Sequence, residues 1–554
     1  MTEREAGNVT IEDVAALVGV IDEVVASAVK AASERTDGGK EIDSWQVHSE
    51  RVAYVATELL AAKSMIDYSR AALAAGVDAS LFVDQAAVYA GETAARLTGQ
   101  LAAASDDFAL PAGLFERTLG AEPTRRLVRL CASEDRVRAI GRQVAAQRGA
   151  NNAWMPEADV VMVRDSVRSF AQKAVAPLAE KIHRHDELVP DTLIAAMAEM
   201  GYFGMSAPEE YGGLGMGNLA MIVTTEELSR VSLAAAGSLI TRPEILTKAL
   251  LKGGTEEQKK KWLAPVSAGE LMVAISVTEP NTGSDVASVA CRAQATELDG
   301  RKGWLINGPK AWCTFAGRAN VIALLARTDP DPKSGARGLS LFIVEKDAFA
   351  GHEFEMRQSG GGTLVGKADA TPGYRGMHSY TLAFENYFVP ADNLIGGDKG
   401  LHKGFYLQMN GFAAGRLQTG GRATGVAQAA LEAAAGYAVD RKQFGRALID
   451  FQLTQYKLGR MATATQVARQ ITYRAARAMD ADESISLEPA MAKLLACDVA
   501  VAVTQEGQLV HGGWGYAEEY PISRYVVDAT VLPIFEGVKP VLELKVIARQ
   551  LLAA

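Results

Sequence analysis

Residues 271–285, Leu-Met-Val-Ala-Ile-Ser-Val-Thr-Glu-Pro-Asn-Thr-Gly-Ser-Asp, constrain this chain more than any other stretch. The run from Met272 to Val277 is rich in apolar and β-branched residues and reads as a buried strand. Thr278-Glu279-Pro280 breaks it, and Asn281 to Asp285 supply a tight turn. Such a turn offers backbone N–H groups and hydroxyls to an anion or an aromatic heterocycle. A strand ending in a plain surface turn has the same reading. Trp304 to Gly308 forms a second strand and turn, followed by Lys310-Ala-Trp-Cys-Thr314.

Around this point the pattern switches from helix to strand and back. With 554 residues, about three or four domains are expected. Charged residues at 22% and hydrophobic residues at 48% fit a globular protein with sizeable cores. A net charge of −9 argues against nucleic acid as the main partner. The opening MTEREAGNVTIED is acidic and polar, unlike a secretory or mitochondrial leader, so a cytoplasmic location is expected. No apolar run approaches the ~18–20 residues of a membrane span. Cys131, Cys291, Cys313 and Cys497 are far apart and read as reduced thiols. The seven histidines suggest no ligand cluster, and no metal is expected. His183 and His185, two apart on a helix, point to different faces.

The predicted organisation has four parts. Residues 1–150 form an Ala-rich helical extension, in which Val52, Val55, Leu59, Leu60 and Met65 recur at near-helical spacing. Placing Tyr68 on Tyr473 also brings Ala86-Ala87 onto Met491-Ala492. Two Ala-rich helices matching by composition explain this, and so does a degenerate copy of a bundle that has lost its ligand residues. Arg148 to Asn152 reads as a linker. Residues 155–270 form a helical domain, with an apolar stripe at Val160, Val163, Val167 and Phe170 and Pro177 near that helix's end. Thr255-Glu-Glu-Gln258 has a capping-box pattern. Residues 271–398 form a β-barrel-like domain. Its Gly-rich stretch Gln358 to Gly373 is expected to be a loop over a site or an interface. Residues 401–554 form a C-terminal helical bundle, with helices at Ala427 to Asp440, Gln455 to Ala478 and Leu487 to Val510. The fold class is mainly α with a central β-barrel-like domain.

Three further runs complete the pattern. Tyr437-Ala-Val-Asp-Arg-Lys-Gln-Phe-Gly-Arg446 leads to Phe451-Gln452 and Gln455. His511-Gly-Gly-Trp-Gly-Tyr516 leads to Glu519-Tyr-Pro521, and Ile534-Phe-Glu-Gly-Val538 precedes a terminal helix. Each alone fits a capped helix end or a Gly-rich turn. Together with xVTEPxxGSD and INGxKxWxT, in this order, they resemble the acyl-CoA dehydrogenase family of flavoproteins. The resemblance covers about residues 155–552.

The resemblance implies α,β-dehydrogenation of an acyl-CoA thioester on FAD, with electrons leaving to an electron-transfer flavoprotein. It implies Glu536 as the base that removes the α proton, in an apolar pocket where a carboxylate's pKa rises. It implies a thioester oxygen held by the Glu536 backbone N–H and a flavin hydroxyl, with Gly537 close to the thioester. Thr278 and Thr314 match contacts to the flavin edge, Trp312 flanks it, and Ser284 binds CoA or flavin phosphates. Arg441 matches an Arg on the flavin pyrophosphate across a subunit boundary, so a homo-oligomer is expected; its planar fork of donors suits phosphate. Gln452 matches an adenine-side contact, Gly512 and Gly513 a backbone approach to the dinucleotide, and Arg416 a basic residue near CoA. Where the family has Gln before the glycines, this chain has Leu509, with Gln508 one place earlier. The extension and the Gly-rich stretch resemble one branch, whose short branched substrate carries a distal carboxylate. Arg242, amid apolar residues, is a candidate ligand for that charge or else a surface arginine pairing with Glu244 or capping a helix; Arg375, His378 and Tyr380 are the other candidates. A short- or branched-chain acyl-CoA dehydrogenase of other specificity, an acyl-CoA oxidase or flavin monooxygenase on the same fold, and a non-enzymatic scaffold are the rival readings.

Overall fold

A computed structural model describes residues 9–151 and 153–553. The opening up to residue 8, and Asn152 of the expected linker, lie outside them. The chain divides into two compact units, residues 1–161 with 419–554, and residues 162–418.

Among the described residues the first unit is helical apart from a short hairpin, Lys442–Gln443 with Arg446–Ala447. Its N-terminal helices are Ile11–Arg35, Gln46–Ala74, Ser80–Ala104, Leu114–Arg117, Glu122–Cys131 and Glu134–Ala146. The first opens on a reciprocal cap: Thr10 Oγ1 accepts from Asp13 N at 3.2 Å, and Asp13 Oδ2 accepts from Thr10 N at 2.9 Å. Its face at Val14, Leu17, Val18, Ile21, Val24 and Val25 is buried. The C-terminal helices are the part of Gly404–Asp440 from Thr419 on, Gln452–Asp480, Leu487–His511, Ile522–Ala529, and 539–552. Helix Gly404–Asp440 begins far earlier than the expected Ala427. Its glycines cost intrinsic helix propensity, about 1 kcal/mol each, which hid it in the sequence. Tertiary packing overrides that cost: a Cβ on Gly420 would lie 3.0 Å from Thr472 Oγ1.

Helix Ala158–Phe170, most of it in the second unit, does not end near Pro177. A π turn, Ala171–Val175, carries it on into Ala176–Arg184. Proline lacks an N–H and clashes with the carbonyl four residues back; a wider turn ahead of it relieves both. Helices Gly217–Val231, Thr241–Gly253 and Glu256–Ser267 follow, the last with the expected box at Thr255 and Gln258.

The β segment is one eight-stranded sheet: β1 (Val273–Ser276), β2 (Arg292–Leu298), β3 (Arg301–Thr314), β4 (Val321–Arg327), β5 (Leu339–Glu345), β6 (Glu353–Arg357), β7 (Thr363–Ala368) and β8 (Ser379–Pro390). Its order is β1-β4-β2-β3-β8-β7-β6, with β5 on β4. β4 is buried along its whole length, and most of β8 alternates. Leu246, Leu250, Trp262 and Leu263 from two helices share a core with Val273, Leu325, Leu339 and Ile343.

The Gly-rich stretch is not a loop throughout. Thr363–Ala368 pairs with both β6 and β8. Gly366 is tolerated because the Phe354 ring lies where its side chain would stand, 2.2 Å from a built Cβ. The aromatic ring across the strand pair supplies the missing packing surface.

Gln258 ties the helical segment to the end of the sheet. Its Oε1 accepts from Thr255 N (3.0 Å) and Gly396 N (2.9 Å); its Nε2 donates to Asp392 O (2.8 Å) and Leu394 O (2.6 Å). Gln258→Ala strands buried backbone groups, each costing about 1–3 kcal/mol. Chemical denaturation is expected to show a loss of about 3 kcal/mol; a loss under about 0.5 kcal/mol, the size of an ordinary surface change, contradicts this account.

Candidate active site

The Thr278 turn is held by a buried ion pair. Lys310 has no solvent exposure and donates to Glu279 Oε1 at 3.0 Å and to Val277 O at 2.9 Å. Glu279 also accepts from Ala290 N (2.9 Å) and Cys291 N (2.8 Å). Thr278 O accepts from Ala311 N at 2.9 Å. The end of β1 is thereby fastened to β3. Both residues stood inside the sequence motifs, and neither had an assigned role.

Beyond Lys310 the β3–β8 register shifts before Cys313, and Trp312 takes a left-handed φ of 56°. Such an irregularity re-aims a side chain. Trp312 projects 59% exposed. Thr314 is buried and shares a hydrogen bond with Ser379 (Oγ1 to Oγ, 2.9 Å). Ser284 is exposed on the turn. Arg416 lies buried on helix Gly404–Asp440.

In the first unit, a groove of about 630 Å³ is lined by Tyr437, Arg441, His511, Gly512, Gly513 and Trp514, among others. Two runs 70 residues apart thus meet. Tyr437 stacks on His511 with centroids 4.3 Å apart. Among the described residues, the exposed Arg441 guanidinium has no ion-pair partner. A Cβ on Gly512 or Gly513 would meet nothing within 4 Å, and Gly512 has a φ of +61°. An unpaired guanidinium beside open, glycine-lined backbone fits a pyrophosphate. Gln452 is exposed at the start of its helix. Gln508 donates to Gly515 O at 3.1 Å and closes the turn; Leu509 is exposed.

Glu536 and Gly537 both have positive φ, 55° and 98°. For a glutamate this is a strained conformation. Glu536 Oε1 accepts from Arg422 Nη2 at 2.8 Å, and Oε2 from Thr419 Oγ1 at 2.8 Å. Arg422 itself is fully buried, with its guanidinium 4.6 Å over Phe535. Gly537 O accepts from the buried Lys493 at 2.6 Å. Sequence reasoning missed Arg422. Its one signal was a lone charge among the small residues Gly420, Gly421, Ala423 and Thr424.

The histidines do gather, against expectation. Asp186, His352 and His378 each bring a ligand-type atom within 4.8 Å of the others. They lie on three separate connecting segments, so chain spacing carried no sign of it. His378 Nε2 lies 3.1 Å from Asp186 Oδ1, and Arg375 Nε 3.5 Å from that oxygen. Burial holds the His378 imidazole below its ordinary pKa, against the pull of Asp186. His183 is buried and His185 exposed, as expected.

Of the candidates for a distal carboxylate, two are already committed. Tyr380 donates to Gly351 O at 2.8 Å, and burial pushes its pKa up to about 12. Arg375 donates to Thr371 O and His183 O, both at 3.2 Å. Arg242 differs. It is 6% exposed, and Nη1 donates to Tyr374 Oη (3.0 Å) and Ser238 O (3.1 Å), but it has no carboxylate partner among the described residues. A buried guanidinium without a counter-charge is costly unless an anion arrives.

The descriptions "Acyl-CoA dehydrogenase, N-terminal domain", "middle domain" and "C-terminal domain" match residues 157–270, 274–387 and 402–552. The (2S)-methylsuccinyl-CoA dehydrogenase of Cereibacter sphaeroides is 44% identical over 71% of this chain and 70% of its own length. Butyryl-CoA dehydrogenase from Megasphaera elsdenii superposes with a TM-score of 0.64 at 30% identity, covering 71% of this chain and 98% of that one. A glutaryl-coenzyme A dehydrogenase in its glutaryl-CoA complex gives 0.65 at 30%, covering 72% and 97%.

The turn-locking pair has a measurable consequence. Lys310→Met leaves the Glu279 carboxylate buried without its cation, a change that costs about 3–5 kcal/mol. The double variant Glu279→Gln/Lys310→Met is expected to recover part of that loss in urea denaturation. A single variant as stable as the parent shows that the pair does not hold the turn.

Proposed function

We propose that this chain, which belongs to the acyl-CoA dehydrogenase family of oxidoreductases, dehydrogenates a short branched acyl-CoA with a distal carboxylate, (2S)-methylsuccinyl-CoA to mesaconyl-CoA. The observation that carries this substrate class is the buried Arg242 guanidinium without a carboxylate partner. The relative from Cereibacter sphaeroides and the glutaryl-CoA complex support it.

In this reading Glu536 removes the α proton. Thr419 and Arg422 each donate to one of its oxygens and so orient the carboxylate. The N–H of Glu536 would receive the thioester oxygen and stabilise the enolate, with Gly537 beside it. FAD, when bound, supplies the acceptor for the β hydride. Thr278, Trp312 and Thr314 would hold its ring. Arg441, Gly512, Gly513 and Gln452 would hold its pyrophosphate and adenine side, and Ser284 and Arg416 the CoA or flavin phosphates. Electrons pass to an electron-transfer flavoprotein, and the enzyme works as a cytoplasmic homo-oligomer.

Glu536→Gln keeps the shape and removes the base. Flavin content is expected to stay, and the rate of anaerobic flavin reduction by methylsuccinyl-CoA to fall by about 10²–10⁴-fold. Reduction at nearly the parent rate would place the base elsewhere.

Arg242→Met removes the cation and keeps the apolar bulk. A charged hydrogen bond contributes about 1.5–3 kcal/mol, or roughly 10–150-fold in kcat/KM. The loss is expected on methylsuccinyl-CoA and not on uncharged 2-methylbutyryl-CoA. An equal loss on both substrates, or none, refutes the assignment. Oxygen consumption without an added acceptor separates the oxidase alternative.

A further inference from the structure

Three connecting segments of the second unit meet beside helix Ala176–Arg184. Just past that helix Asp186 takes a left-handed φ of 54°, and Glu187 N donates back to Ile182 O at 3.0 Å. The run that follows docks on the run ahead of β8. Val189 N donates to Gly376 O at 3.4 Å. A Cβ on Gly376, whose φ is +106°, would stand 2.9 Å from Ile182 Cγ2, so a glycine is what allows this approach. Two residues on, His378 has a φ of 40°, and its carbonyl accepts from Phe315 N at 2.8 Å. His352 stands just ahead of β6. Its carbonyl accepts from Ala368 N at 2.7 Å, and the Gly351 carbonyl before it accepts from Tyr380 Oη at 2.8 Å. Backbone contacts thus fix all three positions independently of the side chains they bring together.

Those side chains converge. The ligand-type atoms of Asp186, His352 and His378 all lie within 4.8 Å of one another. His378 Nε2 and Asp186 Oδ1, 3.1 Å apart, already have the spacing of neighbouring metal ligands, since bonds of about 2.0–2.2 Å put such atoms about 3–3.6 Å apart. The buried His378 imidazole forms a floor, while Asp186 is half-exposed and His352 exposed. Rotation of the exposed ring closes the remaining distance. A plain His–Asp pair accounts for His378 but not for His352. The two rings lie with centroids 4.4 Å apart, tilted at 38°, and the His352 ring makes no hydrogen bond among the described residues. Two charged imidazoles this close repel; two neutral ones each have a lone pair to give. Two imidazole nitrogens and one carboxylate oxygen are the donor set of zinc and its first-row neighbours, whereas magnesium and calcium take oxygen ligands.

We propose that Asp186, His352 and His378 bind one divalent ion with zinc's ligand preference, and that solvent completes its shell. The ion would fasten the segment after helix Ala176–Arg184 to the segments ahead of β6 and β8, and so join the helical part of this unit to its sheet. Arg375 limits the strength of the site. Its Nε lies 3.5 Å from Asp186 Oδ1, and its charge opposes a cation there. The ion is therefore held less tightly than in a four-ligand structural cage. The site is independent of which acyl group the enzyme takes.

The test uses untagged, flavin-loaded protein that has been dialysed against chelator and then freed of it. Calorimetric titration with Zn²⁺ is expected to show one ion per chain, and Mg²⁺ at the same concentration none. His352→Ala and Asp186→Asn change side chains that reach solvent, so the fold is expected to survive. Each should weaken Zn²⁺ binding by at least the roughly 10–100-fold that loss of an outer-shell partner costs. His402→Gln, a histidine outside the cluster, should bind as the parent does. An ion that binds only the folded chain raises its melting temperature. Zn²⁺ should accordingly raise the parent's Tm and leave that of His352→Ala unmoved. A parent that takes up no Zn²⁺ overturns the proposal. So do His352→Ala and Asp186→Asn proteins that bind it as tightly as the parent, or an equal loss in His402→Gln.

Discussion

A lysine without solvent stays charged and buried only where its donors are received. In this protein Lys310 meets that condition through Glu279 and the Val277 carbonyl, and Glu279 in turn receives two backbone N–H groups from Ala290 and Cys291. The pair does not need to add net stability to be retained. Replacing both partners by apolar groups is often neutral, whereas losing one is costly. What it adds is position. It joins the end of β1 to β3, and so sets Thr278 relative to Trp312 and Thr314, whose irregular backbone follows directly.

The same logic recurs at Glu536. A strained glutamate followed by a left-handed glycine would wander unless both its carboxylate and its backbone were held. Arg422 and Thr419 hold the first, and Lys493 holds the Gly537 carbonyl. Two cations with no solvent exposure thus surround one short loop. Arg242 is the contrasting case: a buried guanidinium whose partners are a phenol and a carbonyl, both neutral. The two arginines differ in their partners: Arg422 meets a carboxylate, Arg242 only neutral oxygens among the described residues.

The helical unit is organised by apolar periodicity. Core positions such as Leu17 and Val24 keep the packing of a bundle, because any buried helix face needs apolar residues at helical spacing.

The sequence by itself determined the helix–strand–helix order, the capping box at Thr255, and the motifs around Thr278, Arg441, Gly512 and Glu536. These signals are local: periodicity, turn residues and spacing survive without knowledge of what lies across the fold. It misjudged the stretch around Gly366, the helix through Pro177 and the start of the helix at Gly404. In each, an intrinsic preference was overridden by something distant in the chain or by a rare backbone turn. Only the tertiary structure brought Arg422 to Glu536, Lys310 to Glu279, and Asp186 to His352 and His378. Those pairings depend on which elements pack together, and a charge carries no mark in the sequence of the opposite charge it will meet.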